Sequence, residues 1–185
     1  MNSVLHDMEY SNKVMLMTAL AKVTNPANGK SWRCRVILDS ACDTSFIKEE
    51  LAQKLELKME QLPVSNVGGF GGHTTKMQTK GVKFELGGVS VKAKPTKSIC
   101  RPLTKQGFTR DEMNKFQHLN GLDLADNYES NEKHIDILIG GDYFYTFVGD
   151  KVIRGTCGPV AVETSFGFTL SGGVPPHEST FTGPC

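Results

Sequence analysis

The amino-acid sequence predicts a mostly β fold with a few short helices in one main domain. Segments that alternate apolar and polar residues recur along the chain, as in Ser31 to Leu38 and Val160 to Ser171, and this period is typical of strands. Clusters rich in glycine, proline and asparagine separate these segments, and glycine supplies 19 of the 185 residues. A chain of this length buries about 70% of its unfolded surface, which suits a single core.

The charge balance and hydropathy exclude several classes of partner. Lysine and arginine number 21 against 20 aspartate and glutamate residues, a net charge of +1. A nucleic-acid-binding face needs a clear basic excess, so we expect no nucleic-acid partner. No apolar run approaches the roughly 18 residues of a membrane span, and Met1 to Asp7 lacks the apolar core of a signal peptide. We therefore expect no membrane contact and a cytoplasmic location.

The cysteines give no sign of a metal site. There are five of them at irregular spacing, without a Cys-x-x-Cys pair, so structural zinc is not predicted. Without a secretory signal, reduced thiols are the expectation. A cysteine nucleophile with a histidine base has no local support in the sequence.

The first elements are predicted to be a hairpin and a helix. Val14 to Val23 and Ser31 to Leu38 flank the turn-forming run Asn25 to Gly29, which indicates a β-hairpin. Ser45 has the position of an N-cap for an amphipathic helix over Ile47 to Leu55.

Later elements are shorter. Gly81 to Leu86 and Val89 to Lys94 flank Gly87-Gly88, which suits a two-residue hairpin turn. His134 to Ile139 is predicted to be a short apolar strand, and a short helix follows the glycines after it.

The alternation of apolar and polar residues stops over 101–133. Thr109 and Glu112 have capping-box spacing there, which predicts a polar helix through about His118. The expected layout is a flexible lead at 1–12, the main domain at 13–173 and a flexible tail at 174–185.

The most informative motif is the triplet Asp39-Ser40-Ala41 at the end of an apolar strand. A carboxylate at such a place is costly to bury unless it is hydrogen-bonded or functional. Alone, the triplet also fits an ordinary strand-to-helix turn capped by Ser40. Two further features favour a functional site: the apolar segment Ile135 to Gly140, and the glycine-rich segment Gly68 to Gly72 between the two motifs.

Together these motifs resemble the retropepsin family of aspartic proteases, most closely the protease of BEL/Pao-type retrotransposons. The resemblance covers about Val14 to Gly173, and its order and spacing are more specific than any one motif. The family triplet usually ends in glycine, whereas this chain has Ala41. The matching segments are Ile37 to Ile47, Val67 to Gly72, Ile135 to Tyr143 and Pro159 to Gly172.

The resemblance implies a closed barrel that is active as a two-fold homodimer. An aspartic protease needs two carboxylates that share one proton, and the chain has one triplet, so a second copy must supply the second Asp39. The pair activates a water that attacks the peptide bond, without a metal or organic cofactor. The implied function is an aspartic endopeptidase that cleaves peptide or polyprotein substrates, with a retroelement polyprotein as the expected one.

The resemblance also implies a role for each motif residue. Ser40 and Ala41 support the catalytic loop, although Ser40 also suits a plain turn cap. The glycine-rich segment becomes a flap that closes over the peptide, with a plain flexible loop as the alternative. Asp43 contacts the substrate backbone or forms a salt bridge, and Cys42 either lines the pocket or fills space. The residues predicted to bind substrate are Asp43, Gly68, Gly69, Phe70, Gly71 and Gly72.

A second function of a different class stays open. The chain could be a catalytically silent retropepsin-like module of a domesticated retroelement gene, used for dimerisation or peptide binding. The resemblance implies that 101–133 is a surface insertion, because the segment is longer than a minimal retropepsin needs. Ala41 and this insertion favour the alternative, whereas the intact Asp39-Ser40 pair argues against it.

Overall fold

The computed structural model describes residues 13–62, 65–68, 74–77, 80–104, 108, 110–129 and 132–174. The predicted lead 1–12 and nearly all of the predicted tail lie outside the described residues. The strands are β1 (Lys13–Met15), β2 (Thr18–Thr24), β3 (Ser31–Leu38), β4 (Phe46–Lys48), β5 (Glu60–Gln61), β6 (Ser65–Gly68), β7 (Thr74–Met77), β8 (Lys80–Leu86), β9 (Val89–Thr96), β10 (Leu103–Thr104), β11 (Glu132–Lys133), β12 (Ile137–Ile139), β13 (Val148–Ile153), β14 (Val160–Thr164) and β15 (Gly167–Val174). The helices are α1 (Glu49–Lys54), α2 (Arg110–Asn114) and α3 (Phe144–Phe147), with a 3₁₀ turn at Gln117–Leu119.

Six strands close into a barrel, which confirms the predicted fold class. The main sheet has the order β2-β3-β12-β4-β9-β8-β5, and β2 also pairs with β8, so the sheet returns on itself. Val36, Phe84 and Ile137 point into its interior and are fully buried. The two-fold dimer stays a prediction.

The two predicted hairpins are confirmed. β2 and β3 pair antiparallel from Thr18↔Ile37 to Thr24↔Ser31. β8 and β9 pair up to Leu86↔Val89, and the two residues between them, Gly87 and Gly88, have φ angles of +55° and +83°. Glycine takes such angles without strain, as a tight hairpin turn requires.

The predicted first strand is interrupted, which corrects its continuity. Val14 and Met15 belong to β1, which pairs with β15 rather than β3, and the chain re-enters the barrel only at Thr18. The physical reason is a second core: Met15 is 1% exposed and packs there with Leu170 and Ala161.

The helix predicted over 47–55 begins later, and Ser45 does not cap it. Phe46–Lys48 forms β4, in which Ile47 lies opposite Ile137 and is fully buried. Helix α1 therefore starts only at Glu49, and its N-cap residue Lys48 makes no side-chain cap. Sheet pairing overrides the helical periodicity here.

The 101–133 insertion contributes to the second core. Phe108, Phe116 and Tyr128 are buried against residues of β1, β14 and β15. The helix predicted through His118 is shorter: α2 ends at Asn114 and a separate 3₁₀ turn follows. The break brings Phe116 inward, edge-on to Phe108 at 5.8 Å.

Cysteine usage departs from the expected reduced state at one position. Cys34, Cys42 and Cys100 are free thiols, whereas Cys157 is disulfide-bonded. Burial in the barrel, and then the charge of Asp136, raise the pKa of the Cys34 thiol to about 12, which makes that thiol unreactive. In the part of the chain that the structure describes, no helix is long and apolar enough to cross a membrane.

Candidate active site

Asp39 directly follows β3, and its backbone is hydrogen-bonded to β12. The two strands run parallel, with Leu38 opposite Ile139, and the Asp39 N–H donates to the Ile139 carbonyl at 3.0 Å. The predicted apolar strand is thus observed as Ile137–Ile139, and it lies beside the strand that ends at Asp39. The β12 strand fixes where the Asp39 side chain leaves the barrel.

The Asp39 carboxylate accepts a hydrogen bond from the loop that follows it. The Ala41 N–H donates to Asp39 Oδ1 at 3.0 Å, and the Cys42 N–H donates to the Asp39 carbonyl at 3.3 Å. Asp39 is partly exposed, and Ser40 and Ala41 are exposed. The structure thus presents the predicted catalytic and supporting residues together at the surface.

The backbone conformation at the third position of the triplet can be adopted by alanine without strain. Among the described residues, Glu56 is the one non-glycine residue with a positive φ angle, so Ala41 has an ordinary backbone conformation. Its exposed methyl group leaves the hydrogen bond to Asp39 intact.

A polar network missed by the sequence prediction braces the loop. The Ser45 hydroxyl donates to Asp142 Oδ1 at 2.7 Å and accepts from the Gly140 N–H at 3.0 Å. The Ser45 N–H donates to Asp142 Oδ2 at 3.1 Å. These bonds join the chain after Asp39 to the chain after β12, and Ser45 itself is fully buried. The sequence signal for it was the run Gly140-Gly141-Asp142 directly after an apolar segment.

Gly140 allows the two segments to approach closely. A Cβ at this position would lie 2.7 Å from the Cys42 carbonyl oxygen and 2.8 Å from that of Thr44. Both are backbone atoms of the catalytic loop, so a side chain would displace it. The neighbouring Gly141 N–H donates to the Cys42 carbonyl at 2.7 Å.

Asp43 and Cys42 follow the loop in different surroundings. Asp43 is exposed and forms no salt bridge with any residue that the structure describes. Its contact with substrate stays a prediction. The half-buried Cys42 thiol donates to the Thr44 carbonyl at 3.2 Å, a local contact within the loop.

The segment predicted to be the flap lies between two paired strands, β6 and β7. β6 and β7 pair antiparallel from Ser65↔Met77 to Gly68↔Thr74, so Gly68 is at the end of β6. Gly69, Phe70, Gly71 and Gly72 lie outside the described residues. Closure of this segment over a peptide stays a prediction.

A cavity of about 210 Å³ adjoins the bracing network. Thr44 and Asp142 line it on the side of the catalytic loop, and Val82 and Ala93 line it from β8 and β9. Among the residues that the structure describes, no His, Cys, Asp and Glu side chains are grouped so as to hold a metal ion.

A buried ionic cluster supports β3 upstream of Asp39. Arg35 Nε donates to both Asp126 carboxylate oxygens at 3.0 and 3.1 Å, and Lys133 Nζ lies 3.3 Å from Asp126 Oδ2. The Thr18 hydroxyl donates to the same oxygen at 2.6 Å. Burial lowers the pKa of Lys133, and the Asp126 charge opposes that effect. The insertion is thereby joined to the strand that carries the candidate catalytic residue.

Comparison with protein-family models finds a match over part of this arrangement. Residues 21–97 match the family model described as aspartyl protease. The matched segment contains the whole Asp39 loop, the β6–β7 hairpin and most of the barrel strands. The match supports an aspartic protease, and the retrotransposon type within that class stays a prediction. No curated protein and no solved structure matches the chain.

Proposed function

We propose that the protein is a retropepsin-like aspartic endopeptidase in which two copies of the chain each contribute Asp39. The observation that carries the proposal is the Asp39-Ser40-Ala41 loop, fixed by β12 and presented at the surface with a single carboxylate. The aspartyl protease match over residues 21–97 supports the same class.

The chemistry requires a pair of carboxyl groups. Two carboxylates about 3 Å apart cannot both be ionised, so they share one proton. The ionised member takes a proton from a water, the water oxygen attacks the scissile carbonyl carbon, and the protonated member donates to the carbonyl oxygen, which gives a tetrahedral diol. One carboxyl then donates a proton to the amide nitrogen while the other takes a proton from a diol hydroxyl. The C–N bond breaks, an amine and a carboxylic acid leave, and the pair again holds one proton. One chain supplies half of this pair, and a symmetric partner completes it.

We infer the substrate class from the resemblance of the sequence to the protease of BEL/Pao-type retrotransposons. We propose that the enzyme processes a retroelement polyprotein in the cytoplasm, with Asp43 and the glycine-rich segment from Gly68 to Gly72 contacting the peptide. The apolar lining of the cavity beside Thr44 suits a substrate side chain.

The alternative is a catalytically silent module that dimerises or binds peptides. Its main sequence support was Ala41. The ordinary backbone at that position and the retained bond to Asp39 favour the enzyme instead, because the loop keeps its geometry with alanine.

Asp39→Asn tests the proposal. The change is nearly isosteric, so the fold and any dimer should persist, but the base and the shared proton are lost. We expect the wild-type protein to cleave members of a peptide library and to be inhibited by pepstatin. Its cleavage rate should depend on pH as a bell-shaped curve with an acidic optimum. The Asn variant should cleave at least about a thousandfold more slowly.

Asp150→Asn is the matched control, because Asp150 is an exposed carboxylate on β13. It should cleave like the wild type. Cleavage by the Asp39→Asn variant at the wild-type rate would show that the catalytic assignment is wrong. A wild-type chain that dimerises and binds peptide without cleaving it would support the silent module.

A further inference from the structure

A cleft on the β2–β3 hairpin is separate from the candidate active site. It has a volume of about 450 Å³ and is lined by Leu20, Lys22, Ser31, Trp32 and Arg33. All of these residues belong to β2 or to the first half of β3. Since a strand rises about 3.3 Å per residue, about 17 Å of β3 separates Arg33 from Leu38, the last residue before the catalytic loop.

Two positive side chains lie opposite each other in this cleft. Lys22 and Arg33 are directly paired across the two antiparallel strands. Both are exposed, whereas Ala21 and Val23 on either side of Lys22 are buried. Directly opposed side chains of such a pair have Cβ atoms about 5 Å apart, where like charges repel. Neither cation forms an ion pair with any residue in the described part of the chain. An anion between them would relieve the repulsion.

The positive charge is confined to this one point of the hairpin face. On β3 the next residue of the same face is Arg35, which is already paired with Asp126. The other neighbours on this face, Leu20, Thr24 and Ser31, are uncharged. A nucleic-acid surface needs a row of cations along the phosphate backbone, and this face lacks one. Two opposed cations beside the apolar Leu20 side chain suit instead the carboxylates of an acidic protein segment.

We propose that the cleft binds an acidic segment of a partner protein, with an aspartate or glutamate side chain between Lys22 and Arg33 and an apolar side chain against Leu20. The proposal goes beyond the protease activity and does not depend on it, because no residue of the Asp39 loop lines the cleft. Ion pairs at exposed sites contribute little each, so the binding is weak and decreases further as salt screens the charges.

Trp32 allows binding in the cleft to be observed directly. It is the one tryptophan of the chain, it directly precedes Arg33, and it is 51% exposed. Its ring contacts Lys54, whose Nζ lies 4.8 Å from the ring centroid. A peptide without tryptophan that docks in the cleft should therefore change the intrinsic fluorescence of the protein, and a titration gives the dissociation constant.

The probe is a short synthetic peptide of glutamate, leucine and serine, and its control has glutamine in place of every glutamate. We expect the glutamate peptide to change the fluorescence of the full chain saturably, and its dissociation constant to rise with added sodium chloride. The glutamine peptide should bind at least about fivefold more weakly. The variant Lys22→Gln/Arg33→Gln should lose about the same factor for the glutamate peptide, and circular dichroism reports whether it is folded.

Lys83→Gln/Lys92→Gln is the matched control, because these two exposed lysines are also directly opposite each other, on β8 and β9, but do not line the cleft. It should bind the glutamate peptide like the wild type. Equal binding of the two peptides by the wild type would overturn the proposal, and so would unchanged binding by the folded Lys22→Gln/Arg33→Gln variant.

Two further outcomes would also overturn the acidic partner. One is binding of the glutamate peptide in calorimetry without a change in Trp32 fluorescence, which would place the peptide elsewhere on the protein. The other is tighter binding of a single-stranded oligothymidine than of the glutamate peptide, which would favour a nucleic acid. If the double variant does not fold, the comparison of the two peptides on the wild type decides.

Discussion

At the scale of single residues, the site depends on small groups that the motif does not include. Ser45 was predicted to cap a helix, yet its hydroxyl joins Asp142 to the Gly140 N–H. This assignment could not be made from sequence, because it depends on β12 lying parallel to β3. The triplet itself was predictable, since a carboxylate directly after a buried strand needs a reason to be there.

Gly140 and Gly141 give a matched pair of substitutions. Gly140→Ala should destabilise the protein by about 1–3 kcal/mol and reduce cleavage further by moving the loop, because its Cβ would lie 2.7 Å from the Cys42 carbonyl oxygen. Gly141→Ala meets its nearest backbone atoms at 3.5 Å and should change stability by less than about 0.5 kcal/mol.

For both glycine variants, urea unfolding measures the free energy of unfolding, and a peptide assay measures the cleavage rate. The prediction fails if the two alanines have equal effects on stability and rate. Equal effects would mean that the loop tolerates a side chain at Gly140 as easily as at its neighbour.

At the scale of elements, the insertion is joined to the barrel by buried charge. Asp126 and Lys133 have fully buried side chains, and Arg35 of β3 is 17% exposed. The Leu20 N–H also donates to the Ala125 carbonyl at 2.7 Å. The loss of alternation marked 101–133 as different from the strands, and the family resemblance made it an insertion. An ion pair between this segment and a strand so distant in sequence leaves no local pattern.

Removing Asp126 tests how strongly this connection stabilises the fold. Asp126→Ala leaves Lys133 charged and buried without its carboxylate, and should cost about 3–5 kcal/mol. The double variant Asp126→Ala/Lys133→Met removes the fully buried cation, although Arg35 still lacks its carboxylate, and should recover part of that loss. Denaturant unfolding measures both.

Lys151→Met is the control for the loss of an ion pair, because its bond to Glu163 is at the surface with Lys151 72% exposed. It should cost no more than about 1 kcal/mol. If Asp126→Ala costs as little as this control, or if the double variant recovers nothing, the cluster does not stabilise the protein as described.

At the scale of the whole molecule, the fold class was predictable because period-two alternation and glycine turns are local signals. The hairpins at Gly87-Gly88 and at Asn25 to Gly29 follow directly from them. The second core was not predictable, since Met15 and Phe116 meet only through the tertiary fold. The same limit applied at Leu16, where an apparently continuous strand divides between two sheets.

If two chains share one site, inactive chains should inhibit active chains by forming mixed dimers with them. When wild-type protein is mixed with a threefold excess of Asp39→Asn and allowed to exchange, only about a quarter of wild-type chains find a wild-type partner by random pairing. Cleavage per wild-type chain should fall to about a quarter, because a pair with one Asn lacks the proton and base that the two carboxyls share. Cleavage of a fluorogenic peptide measures this. If the Asp39→Asn chain forms mixed dimers in sedimentation and yet the rate per wild-type chain is undiminished, each chain carries its own complete site.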